Sequence, residues 1–319
     1  MNNIKKLRTG VIGVGSMGRN HARVYSQESD LIGVCDLDQV LGNSVANEFQ
    51  TNYFNKIENL LSKVDAVTVA VPTEYHHDVA IKCIESGVHI LLEKPLASTI
   101  EQAKNLINMS MERDIVLVVG HIERYNPVIK YVKESINSNK WGNLITMSSK
   151  RLSSYPSRIR DVGVVMDLAI HDIDIMNYLS SSDSINVKSL LGFQNNKKFE
   201  DNALILIEYS NGVKGICEVN WLTPVKVRDI SLTFDNAFVT INLIEQMATV
   251  INHKNYNVDE KNLFTSSQEL KREEIRIEKE EPLKLEILDF LDSINSKRKP
   301  FVDGNDGLKA LEIARKALK

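Results

Sequence analysis

The chain has 319 residues, of which 43% are hydrophobic and 25% are charged, and its formal net charge is −3. This length allows two domains of ordinary size, and the composition is that of a folded globular protein. The slightly acidic balance gives no general attraction to nucleic acid or to an anionic membrane surface. No segment approaches the ~20 apolar residues that a membrane-spanning helix needs. We therefore expect neither a nucleic-acid partner nor a membrane partner.

The N-terminus and the cysteines lead us to expect a cytoplasmic protein. The first eight residues are polar and basic and lack the apolar core of a secretory signal peptide. Cys35, Cys83 and Cys217 are far apart and form no Cys-x-x-Cys pair, so neither a disulfide framework nor a zinc site is indicated. We expect buried thiols in a reducing compartment and no bound metal.

The first 120 residues alternate short apolar runs with helical patterns. The runs are rich in Val and Ile, as expected of parallel strands buried on both faces. One helix is predicted over His77–Ser86, with Gly87 at its C-terminal cap. A capping box at Ser98–Glu101 predicts another helix that continues toward Met111. The pattern indicates a doubly wound α/β sheet. The predicted strands are Thr9–Val14, Leu31–Asp36, Ala66–Val71, His89–Leu92 and Val116–Gly120.

After Pro127 the pattern changes to a run of strands with few helices between them. Helices are predicted over Pro127–Asn137 and Asp161–Leu179, and Asn211-Gly212 predicts a hairpin turn. This pattern favours an open antiparallel sheet with a helix laid against it. We expect two domains, residues 1–122 and 123–319. The predicted strands are Leu144–Lys150, Lys188–Gln194, Ala203–Tyr209, Val213–Trp221, Arg228–Thr233, Ala237–Asn242 and Met247–Ile251.

The last fifty residues carry two further patterns. Gln268–Glu281 is densely charged, with apolar residues at period two, and is interpreted as an exposed strand or a solvated arm. Leu283–Ile294 and Asn305–Leu318 have the spacing of amphipathic helices.

A Gly-x-Gly-x-x-Gly sequence follows the first predicted strand and opens a helical pattern. Gly13 allows the tight turn, Gly15 lets the backbone approach a pyrophosphate, and Gly18 lets the helix pack on the sheet. Ser16 and Met17 begin the helix, whose N–H groups and dipole stabilise the pyrophosphate. The alternative is a glycine turn in an unrelated α/β protein, but the context favours dinucleotide binding.

Asp36 lies 18 residues after Gly18, at the end of the second predicted strand. A carboxylate at this place accepts hydrogen bonds from the adenosine ribose and repels a 2′-phosphate. No Arg follows it closely. The sequence therefore predicts NAD as the cofactor, with NADP the weaker alternative.

Two short segments, Val71-Pro72-Thr73 and Glu93-Lys94-Pro95, fall at the carboxyl ends of predicted strands. Ligands of open α/β sheets bind outside these ends. Lys94 is therefore a candidate for handling a proton beside the cofactor. The alternative is a surface lysine, the commonest place for this residue type.

A second candidate for proton transfer lies further along the chain. Asp167 and His171 are four residues apart, so they share one face of a helix. A histidine titrates near neutral pH and can move the proton of a hydroxyl, and the carboxylate can orient it. A salt-bridged histidine is the structural alternative. No further ligand cluster supports a metal site.

Four motifs together resemble the glucose–fructose oxidoreductase / inositol dehydrogenase (Gfo/Idh/MocA) family over essentially the whole chain. They are Gly13–Gly18, Pro72-Thr73 with His76, Glu93-Lys94-Pro95, and Asp167 through His171. The resemblance implies an N-terminal Rossmann domain and a C-terminal open-faced antiparallel sheet domain that assembles into homodimers or homotetramers. It also implies NAD(P)-dependent oxidation of a ring hydroxyl of a sugar or polyol.

The resemblance further implies roles for individual residues. Lys94 and His171 correspond to the catalytic pair, with Asp167 supporting His171. Pro72, Thr73, His76 and Glu93 correspond to positions around the nicotinamide ribose. The family usually carries Asn at the position of Thr73, so this contact differs. The predicted cofactor-binding residues are Gly13, Gly15, Ser16, Met17, Gly18, Asp36, Pro72, Thr73, His76 and Glu93.

A narrower resemblance rests on Gly120–Pro127 and Asp161–Leu168. These segments are similar to those of family members that oxidise UDP-N-acetylglucosamine at carbon 3 and of related nucleotide-sugar oxidoreductases. The stretch from Ser135 to Arg160 is basic and lacks acidic residues, which suits a diphosphate-bearing substrate. A solvated strand edge or a subunit contact would explain it equally. The substrate-contact candidates are Arg124, Asn126, Arg158 and Arg160.

Two alternative functions remain open from the sequence. A polyol, inositol or free-sugar dehydrogenase would have the same catalytic residues without a nucleotide site. A regulator that binds NAD(P) without catalysis would not need Lys94 and His171, and both are present.

Overall fold

The computed structural model describes residues 6–155, 162–195, 198–252 and 272–319. Contacts divide the chain into two units. The first ends at Tyr125 and also includes Glu281–Glu312, and the second comprises Asn126–Glu280 and Ile313–Lys319. Arg158, Arg160 and Asp161 lie outside the described residues. No helix in the described part of the chain is long and apolar enough to cross a membrane.

The first unit is built on a parallel sheet, with six strands among the described residues. Their order is β3-β2-β1-β4-β5-β6. Two halves wound in opposite directions from β1 give this order, which is that of a dinucleotide-binding fold. The sequence missed β3, which has only three residues and is not continuously apolar. The strands are β1 Arg8–Ile12, β2 Asp30–Cys35, β3 Asn52–Phe54, β4 Ala66–Val69, β5 His89–Glu93 and β6 Leu117–Gly120.

Helices connect these strands as the alternating pattern predicts. They are α1 Ser16–Glu28, α2 Gln39–Glu48, α3 Ile57–Leu61, α4 His76–Glu85 and α5 Ile100–Glu112.

One detail of the predicted α5 start is wrong. The capping box consists of Thr99 and Gln102, each side chain pairing with the backbone of the other residue. Ser98 cannot fill the capping role because Thr99 keeps an extended backbone, with φ −131° and ψ 160°. The Ser98 hydroxyl instead donates to the carbonyl oxygen of Thr73 at 3.3 Å.

The second unit contains a sheet whose eight described strands run in the order β14-β13-β12-β11-β7-β10-β9-β8. The sheet is mixed, because β10 pairs with β7 in parallel while the other neighbours pair antiparallel. The prediction of a purely antiparallel sheet was wrong at this pair. The long connection from β7 to β10 includes a helix, so the chain can return in the same direction.

The elements of the second unit follow in chain order. Its helices are α6 Pro127–Asn137 and α7 Ile170–Ser180. Its strands are β7 Leu144–Ser154, β8 Ser184–Gly192, β9 Asn202–Tyr209, β10 Lys214–Asn220, β11 Leu222–Phe234, β12 Ala237–Asn242, β13 Met247–Asn252 and β14 Arg272–Arg276.

Two predicted features of this unit are confirmed. The hairpin turn at Asn211-Gly212 joins β9 to β10, and Gly212 adopts a φ of +87°. The described part of Gln268–Glu281 contains a strand, β14, which pairs with β13 and is mostly exposed. Residues 268–271 lie outside the described part.

The chain returns to the first unit over Glu281–Glu312 before its last residues join the second unit, which no pattern in the sequence had indicated. Here α8, Pro282–Asn295, and α9, Gly304–Ala317, agree with the two predicted amphipathic helices. Leu283, Ile287 and Phe290 of α8 pack in one hydrophobic core with Val11 and Tyr25. The first unit therefore buries its α1 face only when α8 is in place.

A buried ion pair ties α7 to the sheet of the second unit. Arg151 of β7 and Asp172 of α7 are each 2% exposed in their side chains. The Arg151 Nε and Nη2 atoms donate to the Asp172 carboxylate at 2.9–3.1 Å. Removing one partner of such a pair leaves the other as an uncompensated buried charge.

We predict that Arg151→Met destabilises the protein by about 3–5 kcal/mol, the usual cost of an uncompensated buried charge. The matched control is Lys150→Met, because the adjacent Lys150 makes an exposed 3.7 Å pair with Glu218. This control should cost under ~1 kcal/mol. Urea unfolding followed by circular dichroism measures both. Equal losses for the two variants would contradict the structural importance of the buried pair.

Candidate active site

The glycine turn lies between β1 and α1, where the predicted dinucleotide would bind. Gly13 has a φ of +83°, and its N–H donates to the carbonyl oxygen of Cys35 at 2.8 Å. A Cβ atom on Gly18 would lie 1.8 Å from the Gly13 carbonyl oxygen, so only glycine lets α1 begin this close to the turn.

The outer side of the same turn is open. A Cβ atom on Gly15 would meet nothing within 4 Å among the described residues. No described side chain caps the N-terminus of α1, which begins at Ser16 and Met17. The N–H groups of this first turn therefore remain available for an anion. The turn fits a pyrophosphate.

Asp36 follows the last residue of β2 and is held beside this turn. Its carboxylate accepts the N–H of Val14 at 2.7 Å and the N–H of Asp38 at 2.8 Å. A carboxylate has about four acceptor positions, so oxygen lone pairs remain for ribose hydroxyls. This placement agrees with the predicted ribose-binding role.

His76 joins two loops at the carboxyl edge of the sheet. Its Nδ1 lies 2.8 Å from the Pro95 carbonyl oxygen, and its Nε2 lies 3.0 Å from the Val71 carbonyl oxygen. Burial lowers the pKa of His76, although both carbonyls oppose this shift. The residue therefore holds the Pro72-Thr73 loop against the Lys94-Pro95 loop. Its predicted contact with the cofactor stays a prediction.

Pro72 and Thr73 begin a short 3₁₀ turn, Thr73–Tyr75, directly before α4. Pro72 is exposed and Thr73 is half-buried. The turn thus lies at the edge of the sheet where the glycine turn also lies, because β1 and β4 are parallel neighbours.

Glu93 ends β5 and is buried. Its Oε1 lies 2.9 Å from His21 Nε2, and its Oε2 accepts the backbone N–H of Lys94 at 3.2 Å. Burial acts to raise the pKa of Glu93. The hydrogen bond from His21 and the nearby charge of Lys94 outweigh it, so the pKa is lowered. The predicted ribose contact of Glu93 stays a prediction.

Lys94 is half-buried and follows β5 directly. The peptide bond between Lys94 and Pro95 is cis. Lys94 therefore lies at the same sheet edge as the glycine turn, in agreement with its predicted place at a strand end.

The second unit carries Asp167 and His171. Asp167 lies in a π-helical turn, Val165–Ala169, and His171 lies in the first turn of α7. The prediction of one regular helix from Asp161 to Leu179 was wrong in this respect. Both side chains are partly exposed, whereas residues 169, 170, 172 and 173 are buried. A π-helical turn is rare and occurs often at functional sites.

The start of this segment is fixed by a buried carboxylate. The Glu200 Oε1 atom accepts the N–H of Val165 at 3.0 Å, and the Glu200 carbonyl oxygen accepts the N–H of Val164 at 2.9 Å. Burial raises the pKa of Glu200. A Cβ atom on Gly163 would lie 2.1 Å from the Glu200 carboxyl group, so Gly163 provides the space for this cap.

The predicted substrate residues have structural partners in their own units. Arg124 is 4% exposed and pairs with Asp306 at 3.1 Å. The Asn126 Nδ2 donates to the Leu243 carbonyl oxygen at 3.0 Å, and its Oδ1 accepts the N–H of Val128 at the start of α6. Arg158 and Arg160 lie outside the described residues. The substrate contacts of all four stay predictions.

In residues 135–155, the described part of the basic stretch, the three basic side chains do not all face the same way. Arg151 points into the core and Lys150 to the exposed face, because neighbouring residues of a strand face opposite sides. Lys140 donates to the hydroxyl of Tyr131.

Three residues that hold this site in place were missed from the sequence. They are His21, Glu200 and Arg151. His21 lies three residues after Gly18, on the buried face of α1, so its helical spacing was a usable signal. Glu200 and Arg151 gave none, because their partners lie 35 and 21 residues away.

Comparisons with known proteins settle the family. Residues 7–121 match the family model described as the oxidoreductase family with an NAD-binding Rossmann fold. Residues 129–239 match the Gfo/Idh/MocA C-terminal domain. The chain belongs to the Gfo/Idh/MocA family. The resemblance inferred from the four motifs is therefore confirmed.

Several Gfo/Idh/MocA relatives are dehydrogenases of sugars and polyols. The chain is 30% identical to UDP-N-acetylglucosamine 3-dehydrogenase of Acidithiobacillus ferrooxidans, over 97% of this chain and 95% of that protein. The structure of that protein has a TM-score of 0.88 and covers 98% of this chain and 96% of that one. The scyllo-inositol 2-dehydrogenase (NAD(+)) of Bacillus subtilis is 26% identical, over 80% of this chain and 79% of that protein.

A levoglucosan dehydrogenase in complex with NADH has the same fold, with a TM-score of 0.87 at 18% identity, over 98% of this chain and 96% of that one. Because residues 7–121 match a family model with an NAD-binding Rossmann fold, the protein described here is an oxidoreductase whose cofactor is NAD. The open turn at Gly15 and the carboxylate of Asp36 fit that cofactor. The described residues contain no group of three or more potential metal ligands.

We predict that Gly15→Ala and Gly18→Ala separate cofactor binding from folding. The Gly15 methyl group would occupy the space of the pyrophosphate, so the Kd for NAD should rise roughly tenfold or more. Stability should be unchanged because nothing lies within 4 Å of the new atom. Calorimetric titration and thermal unfolding measure the two effects.

Gly18→Ala is the matched comparison. Its methyl group would overlap the Gly13 carbonyl oxygen, so it should cost at least about 1–3 kcal/mol of stability as well as NAD affinity. A Gly15→Ala variant that binds NAD normally would refute the assignment of this turn.

Proposed function

We propose that this protein oxidises the carbon 3 hydroxyl of a UDP-linked N-acetylhexosamine such as UDP-N-acetylglucosamine, with NAD as the cofactor. The observation that carries the proposal is that the chain matches a UDP-N-acetylglucosamine 3-dehydrogenase over nearly the whole length of both proteins. The match covers 97% of this chain and 95% of that protein at 30% identity. The likeness to the scyllo-inositol enzyme covers less of both chains at lower identity.

The proposed catalytic groups are Lys94 and His171, which act on one substrate hydroxyl. The His171 imidazole takes the proton from the hydroxyl oxygen as the carbon–oxygen double bond forms. The Lys94 ammonium donates a hydrogen bond to that oxygen and stabilises its developing negative charge. The Asp167 carboxylate orients the imidazole and stabilises its charge. The roles of Lys94 and His171 could be exchanged.

NAD, when bound, would supply the hydride acceptor for the carbon that bears the hydroxyl. The chain contributes the cradle for that cofactor. The first-turn N–H groups of α1 would hold its pyrophosphate, and Asp36 would accept the ribose hydroxyls. Thr73 and the half-buried Lys94 would lie beside the nicotinamide of that cofactor, since both follow strands at the same edge of the parallel sheet.

The nucleotide-sugar reaction can be tested directly. Purified protein with NAD and UDP-N-acetylglucosamine should form NADH, measured by absorbance at 340 nm. myo-Inositol, scyllo-inositol and glucose are the competing substrates in parallel reactions. Turnover of inositol without turnover of the UDP-sugar would replace the proposal by a polyol dehydrogenase. NAD binding without turnover of any sugar would favour a regulator.

We predict that Lys94→Ala and His171→Ala each lower kcat roughly 100- to 10,000-fold, the range of general acid–base groups. The Kd for NAD should stay within a few-fold for both variants, because neither side chain holds the pyrophosphate. Lys104→Ala on the exposed side of α5 is the control lysine and should match the wild type. Normal turnover by Lys94→Ala would remove this residue from the mechanism.

We also propose that the protein forms a homodimer or homotetramer through the sheet of the second unit. Four large apolar residues support this assembly, with Leu206 opposite Ile216 and Leu190 opposite Leu204 on adjacent strands. Their exposed fractions are 51%, 42%, 74% and 46% in that order. A contiguous apolar group on a sheet face is typical of a protein–protein interface.

We predict that Leu206→Asp reduces the molar mass measured by light scattering from that of an oligomer to about that of one chain. Burying the new carboxylate against a second copy would leave it without a partner. Met111→Asp, at the exposed end of α5 in the first unit, is the matched control and should not change the mass. A wild-type protein that is monomeric would contradict the assembly.

A further inference from the structure

A series of hydrogen bonds connects buried side chains of the first unit to the backbone N–H of Lys94. The Tyr25 hydroxyl lies 2.9 Å from Thr68 Oγ1, and Thr68 Oγ1 lies 3.2 Å from His21 Nδ1. His21 Nε2 lies 2.9 Å from Glu93 Oε1. Tyr25, Thr68 and His21 are all 0% exposed. The last link is the N–H of Lys94, which donates to Glu93 Oε2.

The carboxylate of Glu93 fixes the direction of the hydrogen bond from His21. A carboxylate can only accept, so His21 carries an N–H on Nε2 and donates it to Glu93. Between Tyr25 and Thr68 either hydroxyl can be the donor.

The Nε2 hydrogen of His21 therefore points at Glu93. The groups that act on the Glu93 charge are His21 of α1, His76 of α4 and the adjacent Lys94. The carboxyl group has little room to turn, because a Cβ atom on Gly120 of β6 would already lie 3.1 Å from Oε2. The His21 bond therefore selects one orientation of the carboxylate.

We propose that His21 is a positioning residue for Lys94, acting through Glu93. The imidazole holds one carboxylate oxygen so that the other can accept the N–H of Lys94. That bond fixes the backbone from which the Lys94 side chain leaves the sheet edge. The inference rests on the proposed function, because it assumes that Lys94 takes part in the reaction.

His21 has two side-chain contacts, one with Glu93 and one with Thr68, and two substitutions each keep one of them. Glutamine places its amide near the position of Nε2 and can still donate to Glu93. Asparagine places its amide near Nδ1, where it can pair with Thr68 but cannot reach Glu93. We expect His21→Asn to lower kcat roughly 10- to 100-fold, the factor that corresponds to one hydrogen bond to a charged group. His21→Gln should restore most of this loss, and the KM and the Kd for NAD should change little.

The pH dependence of kcat provides a readout that packing alone would not move. The His21 bond lowers the pKa of Glu93, so losing it raises that pKa. Protonated Glu93 accepts the Lys94 N–H less well. Activity of His21→Asn should therefore begin to fall at a higher pH on acidification than activity of the wild type or of His21→Gln.

A second readout is independent of the substrate. Hydrogen exchange of the Lys94 amide, followed by mass spectrometry in the protein without cofactor, should be faster in His21→Asn and unchanged in His21→Gln. The control is His89→Asn at the opposite end of β5, where Asn can still accept the N–H of Val116. It should leave both kcat and the Lys94 exchange rate unchanged. Thr68→Val, which keeps the His21–Glu93 contact, should give a smaller loss than His21→Asn.

The outcomes separate the inference from the proposed function. Wild-type kcat and exchange in His21→Asn, or equal losses in His21→Asn and His21→Gln, would overturn the positioning role. If His21→Asn does not fold, faster Lys94 exchange in His21→Gln than in the wild type overturns it, because His21→Gln keeps the donor to Glu93. A wild-type protein that turns over no sugar would defeat the proposed function, while the exchange rates would still decide whether His21 orders Lys94.

Discussion

The parallel alignment of the first sheet is the constraint on which the candidate site depends. Parallel strands all end at one edge, so the segments that follow them meet there. The register places Ile12 beside both Cys35 and Val69, and Val69 beside Leu92. The glycine turn, Asp36, Thr73 and Lys94 all come shortly after these aligned strand ends. Residues separated by up to eighty positions in the sequence are thereby brought to one edge.

A buried, hydrogen-bonded carboxylate lies next to each proposed catalytic residue, one in each unit. The neighbour of Lys94 is Glu93, paired with His21, and the neighbour of His171 is Asp172, paired with Arg151. Each carboxylate lies inside while the proposed catalytic side chain beside it is partly exposed. A buried pair has little freedom to move without losing its compensation. Each pair therefore orders the backbone next to a proposed catalytic group.

Sequence periodicity and glycine placement indicated most of the architecture because they report local geometry. The alternation in Asn202–Tyr209 identified β9, and Gly13, Gly15 and Gly18 identified the turn between β1 and α1. The parallel pairing of β10 with β7 could not be inferred, because strand direction depends on the path of the intervening chain. The π-helical turn at Asp167 likewise depends on the cap from Glu200, which lies far away in the sequence. His76 and Glu93 were predicted as polar site residues, but their burial could not be read from their identity.

The central claim is that a carbon 3 hydrogen of a UDP-sugar leaves as hydride. Incubation with NAD and UDP-N-acetylglucosamine deuterated only at carbon 3, followed by mass spectrometry of the reduced cofactor, tests it directly. The account predicts reduced cofactor one mass unit heavier than that formed from unlabelled substrate. Reduced cofactor without deuterium would contradict oxidation at that carbon, and absence of reduction would contradict the UDP-sugar as substrate.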